Sequence, residues 1–185
     1  MKVKDLVVAA AELLGDVTAE SVRKYTEEAD VEGEAVVNEL LRCFNLVETE
    51  LAVDYLPLKT QEEVETDTGA VPYLTLSKRA VQIVKVTDEW GLAIRFQLFG
   101  DYFKAQVGRL KVTYTYAPEP KGLEGETDFQ SLVSYRLFAY GMAAEYCLKA
   151  GLYEEAEVWD KKYKSAITAA YKKTPCRLVR RRVWR

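Results

Sequence analysis

The first fifty residues carry apolar side chains at alternating intervals of three and four, the spacing of one buried face of an α-helix. A first helix is predicted from the residues Leu6, Val7, Ala10, Leu13 and Leu14. Gly15 ends this helix, Thr18 is the predicted cap of a short second helix, and Asp30 is the predicted cap of a third. The third helix has the longest buried stripe, which consists of Val37, Leu40, Phe44, Val47 and Leu51. The chain is therefore predicted to begin with three helices.

The period changes after residue 51, where alternating apolar and polar residues predict β-strands. The first strand is predicted from the alternation of Leu51, Val53 and Tyr55. Further strands are predicted in the β-rich runs 79–88, 91–99 and 109–118. Residues 88–91 give a turn signal between two of these runs, and the acidic, turn-rich segment 60–77 is predicted to be an exposed loop. Together these segments predict an antiparallel β-module of about four or five strands.

Two more helices are predicted after the Pro- and Gly-rich segment 118–128. Thr127 and Gln130 have the spacing of a capping box that would start the first of them at residue 129. Its predicted end is Gly151, which follows Lys149 and Ala150. The second helix is predicted from the apolar stripe Leu152, Ala156, Trp159, Tyr163, Ile167 and Ala170. Because the connection is so short, the two helices are expected to form an antiparallel hairpin.

These elements predict an α+β fold, a helical bundle with an inserted antiparallel β-module and an extended basic C-terminal arm. Residues 1–52 together with 126–171 form the predicted bundle, residues 53–120 the β-module, and residues 172–185 the arm. With 185 residues, the chain is long enough to bury one substantial core and to carry such an insertion.

The composition argues against catalysis. The chain contains no histidine, so the usual general base, the commonest transition-metal ligand and the Ser–His and Cys–His pairs are missing. The three cysteines, Cys43, Cys147 and Cys176, are far apart and odd in number, which argues against a disulfide framework or a zinc site. A hydrolase using two carboxylates would need two acids that converge in one pocket, and the sequence singles out no such pair. We therefore expect no enzyme activity, no cofactor and no metal.

The N-terminal segment has a basic start and an apolar stretch, as a signal peptide would. Asp5 and Glu12 interrupt the apolar stretch, and its spacing is helical, which favours an amphipathic first helix. The other apolar runs are short, so no membrane-spanning segment is predicted and no membrane partner is expected.

The last fourteen residues are strongly basic, although the net charge of the whole chain is −3. They contain Lys172, Lys173 and five arginines without any acid, and Trp184 stands next to the last residue. Guanidinium groups bind carboxylates in forked pairs, and Arg and Trp are common anchors of protein interfaces. The same residue types also suit phosphates and stacked bases. The arm therefore fits an acidic protein groove, a nucleic acid, or a tail that only aids solubility.

Three segments and the arginine-rich end resemble the head–tail adaptor (connector) proteins of tailed bacteriophages and prophages. The segments are residues 46–66, 96–119 and 140–167, followed by the RRRVW stretch at 180–184. The most telling residues lie in the helical hairpin and are Tyr140, Gly141, Ala143, Ala144, Glu145, Tyr146, Gly151, Leu152, Trp159 and Asp160. The smaller, all-helical connectors lack so large a β-module, and this chain is more similar to the adaptors that carry one.

The resemblance implies a structural role at the virion neck, the junction of capsid and tail, for a protein made in the bacterial cytoplasm. Such adaptors form a ring, usually of about twelve copies, beneath the portal protein. The ring extends the DNA channel, lets DNA pass without specific binding, and contacts the next tail or neck component. Portal binding is expected from Arg177, Leu178, Arg180, Arg181, Arg182, Val183, Trp184 and Arg185.

The alternative function is a nucleic-acid-binding module that uses the same Arg/Trp arm. Its expected signature is steeply salt-dependent binding by a chain that needs no ring. Trp90 and Tyr102, near predicted turns of the β-module, are candidates for contact with neighbouring proteins, although partly buried turn aromatics are an equally good interpretation.

Overall fold

The computed structural model of the chain describes residues 1–28, 31–129 and 133–173, without the side chains of residues 27, 28, 31, 32, 172 and 173. The predicted cap Asp30 and the arm beyond residue 173 lie outside the described residues. The fold is α+β, and the chain divides into two compact units. The helical unit comprises Met1–Phe44 and Phe129–Arg185, and the β-unit comprises Asn45–Asp128.

Five α-helices occur in the described part of the chain. They are α1 (Val3–Leu14), α2 (Asp16–Glu28), α3 (Val31–Glu50), α4 (Tyr135–Lys149) and α5 (Tyr153–Lys173). α1 packs against α2 and α4, and α4 packs against α5. The predicted stripe of α3 is confirmed, because Val37, Leu40, Phe44, Val47 and Leu51 are all buried. α3 crosses from the helical unit into the β-unit, whose first residue is Asn45.

The core of the helical unit is aromatic at its centre. The Phe138 ring lies 5.7 Å from the Phe44 ring and 5.9 Å from the Phe129 ring, and all three residues are buried. Gly33 of α3 lies against α2. A Cβ atom on Gly33 would meet the Ser21 carbonyl oxygen and would lie 2.8 Å from Tyr25 Cβ. Only a glycine fits there without a shift of one helix.

Two helix starts differ from the predictions. α2 begins at Asp16 directly after Gly15, whose φ of +118° ends α1, so Thr18 lies inside α2 and is not its cap. α4 begins six residues later than the capping box predicted, with Ser134 as its N-cap accepting a hydrogen bond from the Arg136 amide. The Thr127 hydroxyl instead donates to the buried carboxylate of Glu48 at 2.6 Å. Thr127 therefore bonds to the Glu48 carboxylate and, contrary to its local sequence pattern, does not cap a helix.

The predicted end of α4 and the hairpin are confirmed. Gly151 has a φ of +77°, and the Leu152 amide donates to the Cys147 carbonyl oxygen at 2.9 Å. This left-handed terminating residue reverses the chain, so α5 packs antiparallel along α4. The buried residues of α5 are Ala156, Tyr163, Ile167 and Ala170, whereas Leu152 is 47% exposed and Trp159 is half-buried.

The strand predicted at Leu51, Val53 and Tyr55 is wrong. Residues Leu51–Tyr55 form a π-helical turn that continues α3, closed by a 2.6 Å hydrogen bond from the Leu56 amide to the Leu51 carbonyl oxygen. Leu51 and Ala52 are neighbours in the sequence and are both buried. This burial fits a helix and not a strand whose residues alternate between buried and exposed. The helical stripe from Val47 simply runs on into the turn.

Seven strands occur among the described residues, more than the four or five predicted. They are β1 (Lys59–Thr66), β2 (Ala70–Pro72), β3 (Ala80–Thr87), β4 (Ala93–Ile94), β5 (Gln97–Leu98), β6 (Tyr102–Lys104) and β7 (Gly108–Tyr116). They form a four-stranded sheet in the order β1-β7-β3-β4 and a three-stranded sheet in the order β2-β6-β5, with every pairing antiparallel. The run 91–99 is thus two short strands in different sheets.

The exposed loop predicted at residues 60–77 is the largest error. It contains β1, which pairs with β7 over its whole length from Lys59 opposite Thr115 to Thr66 opposite Gly108. The sequence of β1 does not show alternating apolar and polar residues, because Glu62 occupies an inward position. Its carboxylate accepts hydrogen bonds from the Ser77 amide at 3.1 and 3.2 Å, so a charged residue replaces the expected apolar one.

Side chains from both sheets form the core of the β-unit. The core residues are Val71, Leu76, Ile83, Val86, Phe103, Leu110, Val112, Tyr114 and Tyr116. The strand predicted at 109–118 is confirmed, and β7 directs Leu110, Val112, Tyr114 and Tyr116 into this core. Val81 and Val84 are the extra residues at two register shifts between β3 and β7, and both are exposed. Such bulges bend a strand and make its open edge a poor template for further strands.

Candidate assembly surfaces

The described residues include acidic side chains and two cysteines that bear on possible chemistry. They include no group of three His, Cys, Asp or Glu residues that could bind a metal ion. Cys43 and Cys147 are free and buried. Burial, together with the nearby Glu39 carboxylate, raises the pKa of Cys43 to about 12, and burial also raises the pKa of Cys147. Neither thiol is a thiolate at neutral pH, so neither is an activated nucleophile.

None of the helices that the structure describes combines the length and the apolar character needed to cross a lipid bilayer.

A concave surface of about 520 Å³ lies between α4 and α5. Its charged lining consists of Arg136, Lys161 and Lys162, and its floor includes the small residues Ser165 and Ala169. We call this surface the basic groove. Its lining contains no acidic residue, and one of its three cations, Lys161, pairs with Glu157 of α5 at 2.7 Å.

Aromatic rings hold one cation of the basic groove in place. The Lys162 ammonium lies 4.0 Å from the centre of the Trp159 ring and 5.9 Å from that of Tyr140. These two rings are stacked with their centres 5.9 Å apart, which joins α5 to α4. Cation–π contacts of this kind fix a lysine without neutralising its charge. The groove therefore presents an ordered positive charge.

A second concave surface, of about 310 Å³, lies nearer the turn of the hairpin. Its charged lining residues are Glu145, Glu157 and Asp160, and no basic residue lines it. Leu148 and Tyr153 stand at this surface with 52% and 70% of their side chains exposed. We call it the acidic flank.

The basic groove and the acidic flank lie on opposite sides of α5. At about 100° per residue, Asp160 and Lys162 point about 200° apart around the helix axis. The buried residues Ala156, Tyr163 and Ile167 lie between the two directions on the inner side. One hairpin therefore presents opposite charges to its two sides.

The β-unit exposes apolar side chains at its turns. Trp90 and Leu92 are 78% and 67% exposed in the turn between β3 and β4. The Asp88 carboxylate fixes this turn by accepting from the amides of Trp90 at 3.1 Å and Leu92 at 2.8 Å. Because hydrogen bonds to the Asp88 carboxylate hold the turn, the turn does not depend on burial of the exposed Trp90 ring. Trp90 thus lies where a contact residue was expected.

A second exposed apolar cluster surrounds the hairpin of β5 and β6. Leu98 and Phe99 are 56% and 43% exposed, and the half-buried Tyr102 ring stacks on Phe99 with the ring centres 4.7 Å apart. The turn holding Leu74, which is 98% exposed, is bonded to this hairpin through the Tyr73 hydroxyl and the Phe99 carbonyl oxygen at 3.0 Å. Exposed apolar patches of this kind mark sites of protein–protein contact.

A buried carboxylate fixes the end of α3 to the connection that follows β7. Glu48 is 1% exposed, and its Oε1 accepts from the Thr127 hydroxyl at 2.6 Å and the Asp128 amide at 2.8 Å. Asn45 holds the same connection by exchanging two hydrogen bonds with the Lys121 backbone, at 2.7 and 3.1 Å. Burial raises the pKa of Glu48. This arrangement is a structural clamp within the β-unit.

The portal-binding residues predicted from the sequence, from Arg177 to Arg185, lie outside the described residues. The basic groove and acidic flank were not predicted, because the charges of α5 fit an ordinary acid-to-base gradient along an exposed helix. A usable signal was present in Ser165 and Ala169, which repeat at i and i+4 on an otherwise charged side of α5. Small residues in that position allow another backbone to approach.

No protein-family model matches the chain, and no curated protein sequence is significantly similar to it.

Proposed function

We propose that the chain is a structural head–tail adaptor of a tailed bacteriophage or prophage. It forms a ring beneath the portal at the virion neck, extends the DNA channel and contacts the next tail or neck component. The observation that carries this proposal is the presence of separate exposed apolar surfaces on both units. The most exposed side chains are Leu74, Trp90 and Leu92 on the β-unit and Tyr153 on the helical unit. An adaptor must bind several partners at once, and distinct contact surfaces on one small chain suit that task.

The arm supplies the portal contact in this proposal. Arg177, Arg180, Arg181, Arg182 and Arg185 pair with acidic residues of the portal, and the apolar residues of the arm, Leu178, Val183 and Trp184, fill pockets between them. No catalysis, cofactor or metal is part of the role. DNA passes through the lumen without specific binding, which an acidic chain favours because it repels phosphates.

The test is assembly on the portal. The chain is mixed with the portal protein of the same phage or prophage, and mass is measured by light scattering while negative-stain images show the particles. We expect a ring on the portal for the full chain and loss of portal binding when residues 174–185 are removed. A stable small dimer that the portal leaves unchanged would contradict the proposal.

The basic groove supports the second candidate function, binding of nucleic acid. The groove lining of Arg136, Lys161 and Lys162, with Lys162 lying over the rings of Tyr140 and Trp159, suits phosphates and bases. This function requires binding that falls steeply with salt, by a monomer, and that is lost when the groove is neutralised. A gel-shift titration of the full chain against duplex and single-stranded DNA at two salt concentrations separates it from the adaptor function.

A further inference from the structure

We propose that the basic groove of one copy receives the acidic flank of a second copy, so that the hairpins of neighbouring copies dock side by side in one direction. The inference rests on the proposed function in taking a second copy as the partner. It adds which two surfaces meet and which charges decide the contact.

The charges of the two surfaces are complementary. The groove lining has Arg136, Lys161 and Lys162 and no acid, and the flank lining has three acids and no base, with Lys161 and Glu157 paired at 2.7 Å within the same copy. Within the described part of the chain, Arg136 and Lys162 take part in no ion pair. Unpaired cations at a concave surface favour an anionic partner, and the same chain offers one.

The shapes are also complementary. The groove floor of Ser165, Ala166 and Ala169 allows close approach, and its volume of about 520 Å³ leaves room for a large side chain. On the flank, Tyr153 and Leu148 are exposed apolar residues beside the acids. Aromatic residues in small-residue pockets, surrounded by polar groups, are the usual arrangement of an interface centre.

Two ion pairs of the flank do not oppose this docking strongly. Glu157 pairs with Lys161 at 2.7 Å and Asp160 with Lys164 at 2.6 Å, both at i,i+4 spacing and with exposed side chains. Exposed pairs of this type contribute only a few tenths of a kcal/mol. Exchanging them for contacts with a partner that also buries Tyr153 is therefore favourable.

The arrangement determines the type of assembly. Because groove and flank are different surfaces on opposite sides of α5, a copy that is docked on one side still offers the other. Contacts between unlike surfaces are heterologous, and they continue from copy to copy until a ring closes. A self-complementary surface would stop at a dimer.

Reversal of charge tests the pairing. The groove variant carries Arg136→Glu and Lys162→Glu, and the flank variant carries Glu157→Lys and Asp160→Lys. Sedimentation velocity of the full-length protein over a concentration series at low salt should show association of the natural chain. Each variant alone should raise the dissociation constant at least about tenfold, because like charges then meet.

An equimolar mixture of the two variants should restore association. The acidic groove of one variant then meets the basic flank of the other, and the two unchanged surfaces meet in the next contact. Matched controls are Arg95→Glu with Lys104→Glu, and Glu119→Lys with Glu124→Lys, which change the same number of exposed charges elsewhere. Circular dichroism melts confirm that each variant is folded.

The inference is overturned by a natural chain that stays monomeric at every concentration, by variants that associate like the controls, or by a mixture that fails to recover. It is also overturned if removal of residues 174–185, and not the groove reversal, abolishes association, since the arm is then the occupant of the flank. Rescue in the mixture without any portal binding leaves the inference standing and removes the adaptor proposal. If the natural chain binds the portal but the groove and flank variants associate like the controls, the adaptor proposal stands and the inference is overturned.

Discussion

The helical unit and the β-unit handle their surface charges in different ways. In the helical unit, the linings of the basic groove and the acidic flank have opposite signs, and the flank residues Glu157 and Asp160 form ion pairs along α5 with Lys161 and Lys164. In the β-unit, opposite charges face each other across strands, as Glu63 does with Lys111 at 3.3 Å and Glu65 with Arg109 at 3.8 Å. Both units also expose apolar side chains, at the turn of Trp90 and Leu92 in the β-unit and at Tyr153 in the helical unit.

This difference assigns different kinds of contact to the two units. Surfaces of opposite charge give direction and salt dependence to an interface, whereas exposed aromatic residues give it affinity through burial. In the proposals above, the helical unit makes the charge-directed contact between copies, and the β-unit makes the contact with another protein. Each of the following changes tests whether a residue stabilises the fold of its unit or contacts another protein.

The largest expected effect follows from replacing residues 62–67 with a short Gly/Ser link. β1 pairs with β7 along its whole length, and the change removes most of that strand. The β-unit should lose its cooperative unfolding, an effect of the size of a domain's total stability, roughly 5–15 kcal/mol. Near-ultraviolet circular dichroism and urea titration measure this loss. A variant that still unfolds cooperatively with unchanged midpoint would show that β1 is dispensable.

Truncation of the aromatic core of the helical unit should have the next largest effect. Phe138 is fully buried and contacts both Phe44 and Phe129, so Phe138→Ala should lower the free energy of unfolding by about 3–5 kcal/mol. Val158→Ala in the same hairpin is the matched control, because Val158 is 51% exposed and should change stability by less than about 0.5 kcal/mol. Equal effects of the two changes in denaturant titrations would place the core elsewhere.

The two units also differ in how far their structure follows from the sequence. The stripe from Val37 to Leu51 and the end of α4 at Gly151 were predictable, because helix periodicity and a left-handed glycine are local properties. β1 was missed because Glu62 faces inward and is satisfied by the Ser77 amide, a partner fifteen positions away. Thr127 was misassigned for the same reason, since Glu48 lies far from it in the sequence.

The same limit applies to the candidate surfaces: local features can be predicted from the sequence, whereas contacts between distant residues cannot. Trp90 could be identified from its place beside a turn signal, but the basic groove could not. Its cations come from two helices, with Arg136 on α4 and Lys162 on α5, and only the packing of the hairpin brings them together. Sequence patterns reveal the elements, whereas sites built from distant residues require the tertiary structure.

A smaller effect is expected from Glu48→Gln, which tests the clamp of the β-unit. Burial holds the pKa of folded Glu48 above its ordinary value of 4.5, so the folded state binds more protons than the unfolded state between the two pKa values. Stability therefore falls as pH rises through that window. The glutamine variant can still accept from Thr127 and Asp128 but does not titrate. Its stability should therefore not show this fall.

Urea titrations from pH 4.5 to pH 8 measure the effect on the pH slope. Glu63→Gln is the control, since Glu63 is an exposed residue of β1. Lys121 and Asp128 are the other charged groups near Glu48, and neither variant alters them. If the natural chain and Glu48→Gln show the same pH slope, Glu48 ionises in the folded protein as it does in water.

The smallest effect on stability is expected from Trp90→Ala, and it separates contact from folding most directly. The Trp90 side chain is 78% exposed, and the turn depends on the backbone amides that the Asp88 carboxylate binds, so melting should change by no more than about 0.5 kcal/mol. Asp88→Ala is the matched comparison and should destabilise the turn, because two amides lose their acceptor. For binding to the portal or to the next neck component, Trp90→Ala should have the larger effect of the two variants. It should weaken the complex by about tenfold or more, because exposed tryptophans are strong interface anchors. A Trp90→Ala protein that melts several degrees lower and assembles normally would make Trp90 part of the fold of the β-unit and leave Leu74, Leu98 and Phe99 as its contact residues.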